Sequence, residues 1–60
     1  MTNLTNELRL NGLNENEINR IRRFLNGNGW SCKDVVSVNF RTFCCIQFVS
    51  RWGHMVEYTL

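Results

Sequence analysis

The stretch "FRTFCCIQFV", residues 40–49, decides how the chain folds, because seven of its ten residues are apolar. Phe, Ile and Val favour strands, and no Gly or Pro interrupts the run. In a strand, successive side chains point to opposite faces. This segment therefore presents apolar groups to both faces of any sheet it joins.

Two flanking segments have the same strand character, "VVSVN" before it and "MVEYTL" after it. Arg51-Trp52-Gly53-His54 reads as the turn into the last strand. A two-residue loop at Trp52-Gly53 sets Val49 opposite Val56, Gln47 opposite Tyr58 and Cys45 opposite Leu60. A first turn at Arg41-Thr42 pairs Phe40 with Phe43, Val38 with Cys45 and Val36 with Gln47. A longer first loop starting at Asn39 is the alternative. These registers collect Val36, Val38, Phe40, Phe43, Cys45, Val49, Val56, Tyr58 and Leu60 on one face, with Gln47 as its polar exception. The second face carries Val35, Ser37, Asn39, Cys44, Ile46, Phe48, Ser50, Met55, Glu57 and Thr59. A slip by one residue exchanges the two sets.

The preceding half is helical. Asn14 is a good N-cap, with Glu17 three residues later as in a capping box and Leu13 and Ile18 at the staple positions. The helix is predicted from about Glu15 to Asn26, with Gly27 as its left-handed stop. Ile18, Ile21, Phe24 and Leu25 form its apolar stripe. A shorter helix is predicted from Thr2 to Leu10, ended by Asn11-Gly12. The expected fold is α+β: two short N-terminal helices, then a three-stranded antiparallel β-meander with one face packed on the helices. Residues 1–60 form a single domain.

Sixty residues lie near the lower limit for unaided folding, yet 43% hydrophobic content argues against disorder. No apolar run reaches the length of a membrane span. Met1-Thr2-Asn3-Leu4 lacks the features of a signal peptide, so the expected location is the cytoplasm. Cys32, Cys44 and Cys45 fit neither a C-x-x-C redox pair nor a zinc half-site, and they read as small hydrophobes without a disulfide. No metal or other cofactor is expected.

Catalysis finds little support. His54 sits beside a turn, and alternation places Glu57 on the opposite face from it. Ser50 lacks a nucleophile-elbow context. Gly27-Asn28-Gly29 follows a helix, whereas phosphate loops precede one. The expectation is a non-enzymatic protein.

Two binding surfaces compete for the function. With the helices covering one sheet face, Val35, Ile46, Phe48 and Met55 form a solvent-open cluster on the other, suited to a partner protein or a homodimer. The expected role is then a regulator or inhibitor of phage type, acting by stoichiometric binding through this face or the sheet edge. The alternative is a nucleic-acid-binding module using the second helix. There Arg20, Arg22 and Arg23 would meet phosphates, while Asn16 and Asn19 reach base edges.

Residues 2–21 resemble part of a helix-turn-helix, with Gly12 in the turn and Leu13, Ile18 and Ile21 at apolar positions of that pattern. They depart from it at Glu7, where the family has an apolar residue, and at Leu8, where it has a small one. "LNGNGW", residues 25–30, is similar to the helix-to-strand junction of HicA-type toxin domains, whose fold also runs from a helix into three strands. The Gly-Ser-His motif of that family is missing, so the resemblance brings no ribonuclease activity with it.

Overall fold

The computed structural model describes residues 3–42 and 44–60, with the backbone alone at Thr42. Helices α1 (Leu4–Leu10) and α2 (Glu15–Gly27) come first, followed by a short 3-10 turn (Cys32–Asp34). Strands β1 (Val35–Thr42), β2 (Cys45–Ser50) and β3 (Met55–Thr59) then form one antiparallel sheet in the order β1-β2-β3. This is the α+β arrangement that the sequence predicts. The expected helix start at Thr2 and the expected core role of Phe43 fall outside the described residues.

Local chemistry fixes the helix ends. Asn3 Oδ1 accepts the Asn6 N–H at 3.0 Å, and Asn14 Oδ1 accepts the Glu17 N–H at 2.9 Å. Each cap satisfies a donor that the first turn leaves without an intrahelical partner. The expected capping box is only half made, because the Glu17 carboxylate turns to Arg20 and Tyr58 instead.

Both helices stop in the same way. In α2 the Trp30 N–H reaches back to the Leu25 carbonyl (2.9 Å) and the Gly29 N–H to that of Asn26 (3.0 Å). In α1 the Leu13 N–H reaches the Leu8 carbonyl (3.2 Å) and the Gly12 N–H that of Arg9 (3.0 Å). This is the Schellman pattern, with glycine in the left-handed position and an apolar residue after it. Gly29 has φ 80° and Gly12 φ 91°, while Gly27 is the last helical residue. The expected stop at Gly27 is therefore corrected to Gly29. Stopping at Gly27 would place Asn28 where the apolar residue belongs, whereas Gly29 lets Trp30 pack with Leu25 in the core.

The β2–β3 hairpin decides the sheet. The Ser50 N–H donates to the His54 carbonyl (2.8 Å) and the Gly53 N–H to that of Ser50 (3.0 Å), with Gly53 at φ 85°. The loop is thus Arg51-Trp52-Gly53, three residues with a left-handed glycine last, a common hairpin form. Val49 faces Met55, Phe48 faces Val56 and Ile46 faces Tyr58, one residue away from the expected register. On the other side Thr42 pairs with Cys45, Phe40 with Ile46 and Val38 with Phe48, so the expected turn at Arg41-Thr42 is also displaced. Register shifts at Val35/Ser37 and Phe40/Thr42 put bulges at Val36 and Arg41.

Both slips are odd in residue count, so β2 is turned over relative to expectation. Val35, Ile46 and Phe48 are fully buried and not solvent-open. They share one cluster with Leu4 and Leu8 of α1, Ile18, Ile21 and Leu25 of α2, and Trp30. Val38, Val56 and Tyr58 pack against that cluster, as expected of their face. Cys45 and Val49 move to the opposite face and are half-buried, and Val36 is exposed. The Phe24 and Tyr58 rings lie 5.3 Å apart and join α2 to β3.

A polar knot ties the hairpin to the 3-10 turn. The Arg51 N–H donates to the Asp34 carbonyl (2.8 Å), and Arg51 Nε lies 3.4 Å from Asp34 Oδ1. Ser31 donates both its N–H (2.9 Å) and its hydroxyl (3.0 Å) to Asp34 Oδ2. These bonds, the Ser31 N–H first among them, hold the Asp34 carboxyl below the ordinary aspartate range. A carboxyl that is more acidic folded than unfolded stabilises the fold above its unfolded pKa. That contribution is lost as pH falls through the folded value. Denaturant resistance should therefore drop below about pH 4. Asp34→Asn should lower the urea midpoint at neutral pH and flatten its acid dependence. An unchanged pH profile in that variant would show that Asp34 plays no such part.

Candidate functional site

The residues proposed for partner docking separate in the fold. Val35, Ile46 and Phe48 are core, and of the four only Met55 is exposed, on the opposite face of β3. That cluster does not exist as a surface.

The α2 residues stay together. Ile18, Ile21 and Leu25 face inward, which turns Asn16, Asn19, Arg20, Arg22 and Arg23 to solvent. Asn19, Arg22, Arg23 and Asn26 line a shallow open depression of about 370 Å³. Asn26 adds to the set read from sequence, since its spacing of three from Arg23 and seven from Asn19 puts it on the same stripe. Arg20 leaves the set: its guanidinium pairs with Glu17 at 3.1 Å, toward the Tyr58 side of the helix. Asn16 is exposed but does not line the depression.

Charge pairing sharpens the picture. Arg9 binds Glu15 through two hydrogen bonds, at 2.7 and 3.0 Å. These bonds pull the Glu15 carboxyl below its ordinary range and raise Arg9 above its own. With Arg20–Glu17 and Arg51–Asp34, three of the seven basic and three of the five acidic side chains are matched. Among the described residues Arg22, Arg23, Lys33 and Arg41 are left without an ion pair against Glu7 and Glu57, a difference equal to the net charge of +2. Only Arg22 and Arg23 are sequence neighbours among these four cations. Two guanidiniums flanked by two carboxamides supply planar donors matched to phosphate oxygens, plus groups able to donate and accept at a base edge.

Of the side chains weighed for catalysis, His54 is exposed, while Ser50 and Glu57 hold structural hydrogen bonds. Ser50 is buried, and its hydroxyl oxygen accepts the backbone N–H of Trp52 (3.2 Å) and of His54 (3.1 Å). The Cys45 thiol donates to Glu57 at 3.3 Å, and that bond, with burial second, pushes it above the usual thiol range and away from the nucleophilic thiolate. Among the described residues no three His, Cys, Asp or Glu side chains gather as metal ligands, and no helix is long and apolar enough to cross a membrane. No protein-family model, curated protein or solved structure matches this chain.

Proposed function

We propose that this chain is a small, non-enzymatic cytoplasmic binding module that takes the phosphate backbone of a nucleic acid on the exposed face of α2. The observation that carries this reading is the pair Arg22 and Arg23, without acidic partners among the described residues and framed by Asn19 and Asn26 around one depression. Arg22 and Arg23 position the backbone, and Asn19 and Asn26 are the groups placed to read or tolerate bases. The module would act stoichiometrically, as a regulator that occupies its site. Docking of a partner protein on Val35, Ile46 and Phe48 is set aside, since it would require opening the core.

Salt dependence tests the proposal. Each neutralised duplex phosphate contributes roughly −0.9 to the log–log slope of affinity against salt. With two arginines engaged, the slope should be about −2. Arg22→Ala and Arg23→Ala should each remove about one unit without altering the melting temperature. Asn19→Ala and Asn26→Ala should weaken binding and leave the slope in place. Titration against duplex and single-stranded DNA and RNA from about 50 to 200 mM salt covers the range over which such contacts weaken. No binding to any of the four at low salt, or a slope indifferent to both arginine changes, would refute it.

A further inference from the structure

Strand β3 is an edge of the sheet, and its ladder to β2 is unbroken from Val49↔Met55 to Cys45↔Thr59. Two bonds set its phase. Ser50 N–H donates to the His54 carbonyl, and Leu60 N–H donates to the Cys44 carbonyl, both at 2.8 Å. Antiparallel pairs alternate between bonded and non-bonded, so His54, Val56, Tyr58 and Leu60 turn their backbone groups toward β2. Met55, Glu57 and Thr59 turn theirs away. Among the described residues nothing takes up these outward N–H and C=O groups.

The other edge is different. β1 carries bulges at Val36 and Arg41, which twist a strand and break the regular spacing that an added strand needs. β3 has no bulge, no proline and no lysine. Its one charge, Glu57, is the central residue of the open edge; one carboxylate oxygen accepts the Cys45 thiol of β2 (3.3 Å), and the side chain has no ion pair among the described residues.

We propose that the free edge of β3 takes an extended segment of another polypeptide as a fourth, antiparallel strand, with a lysine or arginine opposite Glu57 and apolar residues opposite Val56 and Tyr58. Backbone bonds to Met55, Glu57 and Thr59 hold the segment, and alternate side chains select it. The basic residue lies on the open face beside Glu57. The apolar residues continue the half-buried Val56 and Tyr58 toward α2. A second copy of this chain fits poorly. Pairing two β3 strands about their centre sets the two Glu57 carboxylates against each other, and like charges directly opposite are destabilising. Slipping them apart by one pair shortens the overlap of Met55–Thr59 to three residues.

The probe is the peptide threonine–valine–lysine–valine–threonine, capped at both ends. It is used free, and also tethered by a flexible Gly/Ser linker after Leu60, which raises its effective concentration to about the millimolar range. In the untethered, peptide-free chain the amides of Met55, Glu57 and Thr59 should exchange quickly and those of Val56 and Tyr58 slowly. Tethering the peptide should slow the first three. N-methylating its lysine should abolish the effect, because that N–H faces Glu57; N-methylating a valine should not. A glutamate-centred peptide should bind roughly two- to fivefold more weakly, and Glu57→Lys should reverse the ranking. Arg22→Ala and Arg23→Ala should leave all of this unchanged, which separates the outcome from that of the nucleic-acid reading.

Several results would overturn the proposal. One is slow exchange at Met55, Glu57 and Thr59 in the monomer without peptide. Another is no protection of them by the tethered peptide, or equal sensitivity to N-methylation at lysine and valine. A concentration-dependent dimer that protects those same three amides would assign the edge to a second copy instead.

Discussion

Phe48→Ala should lower the melting temperature by many degrees and bring the chain to the edge of unfolding at room temperature. Phe48 is the largest of the fully buried side chains, and it sits on the central strand between Val38 and Val56. Phe→Ala in a core costs about 3–5 kcal/mol, because the transfer term is lost and a cavity remains. A domain of this length has roughly 3–9 kcal/mol of total stability at about 0.05–0.15 kcal/mol per residue. The substitution therefore removes from about a third to all of what holds the chain folded. Ile46→Asp should act as strongly, since it combines lost apolar burial with a carboxylate that has no buried partner. Met55→Asp is the control. Met55 is 58% exposed and should tolerate the change within about 0.5 kcal/mol. Far-UV circular dichroism and thermal melts of the three variants decide the matter. In the register read from sequence, Met55, Ile46 and Phe48 share one uncovered face and all three variants would stay folded. A Phe48→Ala variant that melts with the parent chain would thus reinstate that register.

The difference between those registers shows what the sequence carries and what it lacks. Strand identity was legible in the β-branched and aromatic residues from Val35 onward. The α2 boundaries were legible in Asn14 and in the Ile18–Leu25 stripe. The strand faces were not, because FRTFCCIQFV is apolar at both parities. Alternation then has no preferred phase, and the loop decides it. Trp52-Gly53 reads as a two-residue turn, but the left-handed glycine closes a three-residue one. Both β1 bulges are equally silent: Val36 and Arg41 carry no glycine or proline to mark them. Val38, Phe40, Val56 and Tyr58 keep their expected face even so, since errors in the two hairpins fell on β2, which lies between them.

The helix stop was more legible than the reading of Gly27 allowed. Leu8-Arg9-Leu10-Asn11-Gly12-Leu13 and Leu25-Asn26-Gly27-Asn28-Gly29-Trp30 share one grammar, leucine at the first position and an apolar residue five later, after Asn-Gly. Pairing Leu25 with Trp30 selects Gly29 without any structure. For the proposed α2 face, helical spacing alone placed Asn19, Arg22 and Arg23 together. What spacing cannot supply is partner choice. Glu17 is close enough to Arg20 along the helix to neutralise it, and Glu15 is taken by Arg9 from another helix. The second pairing depends on how α1 folds back, so the residual charge on α2 is a tertiary property.

Leu8→Ala should detach α1. Seven residues are too few for a helix to persist alone in water, so packing must supply its stability. α1 buries only Leu4 and Leu8, one turn apart on its inner side. Leu8 is fully buried, and its carbonyl also receives the Leu13 N–H that closes the helix. Leucine-to-alanine changes at such sites cost about 2–5 kcal/mol, again a large share of the total. The loss should be local before it is global. Leu4 by itself cannot anchor the helix, and the exposed Arg9–Glu15 pair adds little, because surface ion pairs are typically worth about 0–1 kcal/mol. Amide exchange in α1 should accelerate toward the random-coil rate while Ile21 and Phe48 amides keep measurable protection, and the melting temperature should fall by many degrees. Leu10→Ala is the matched control: Leu10 is 76% exposed and the change should be nearly neutral. Equal effects at Leu8 and Leu10 would mean that α1 does not dock through its inner face. Uncoupling α1 also releases Glu15 from Arg9, which returns a carboxylate to the start of α2. If α2 binds phosphate, Leu8→Ala should then weaken nucleic-acid binding through charge as well as through order, and Glu15→Gln in that background should restore part of the affinity.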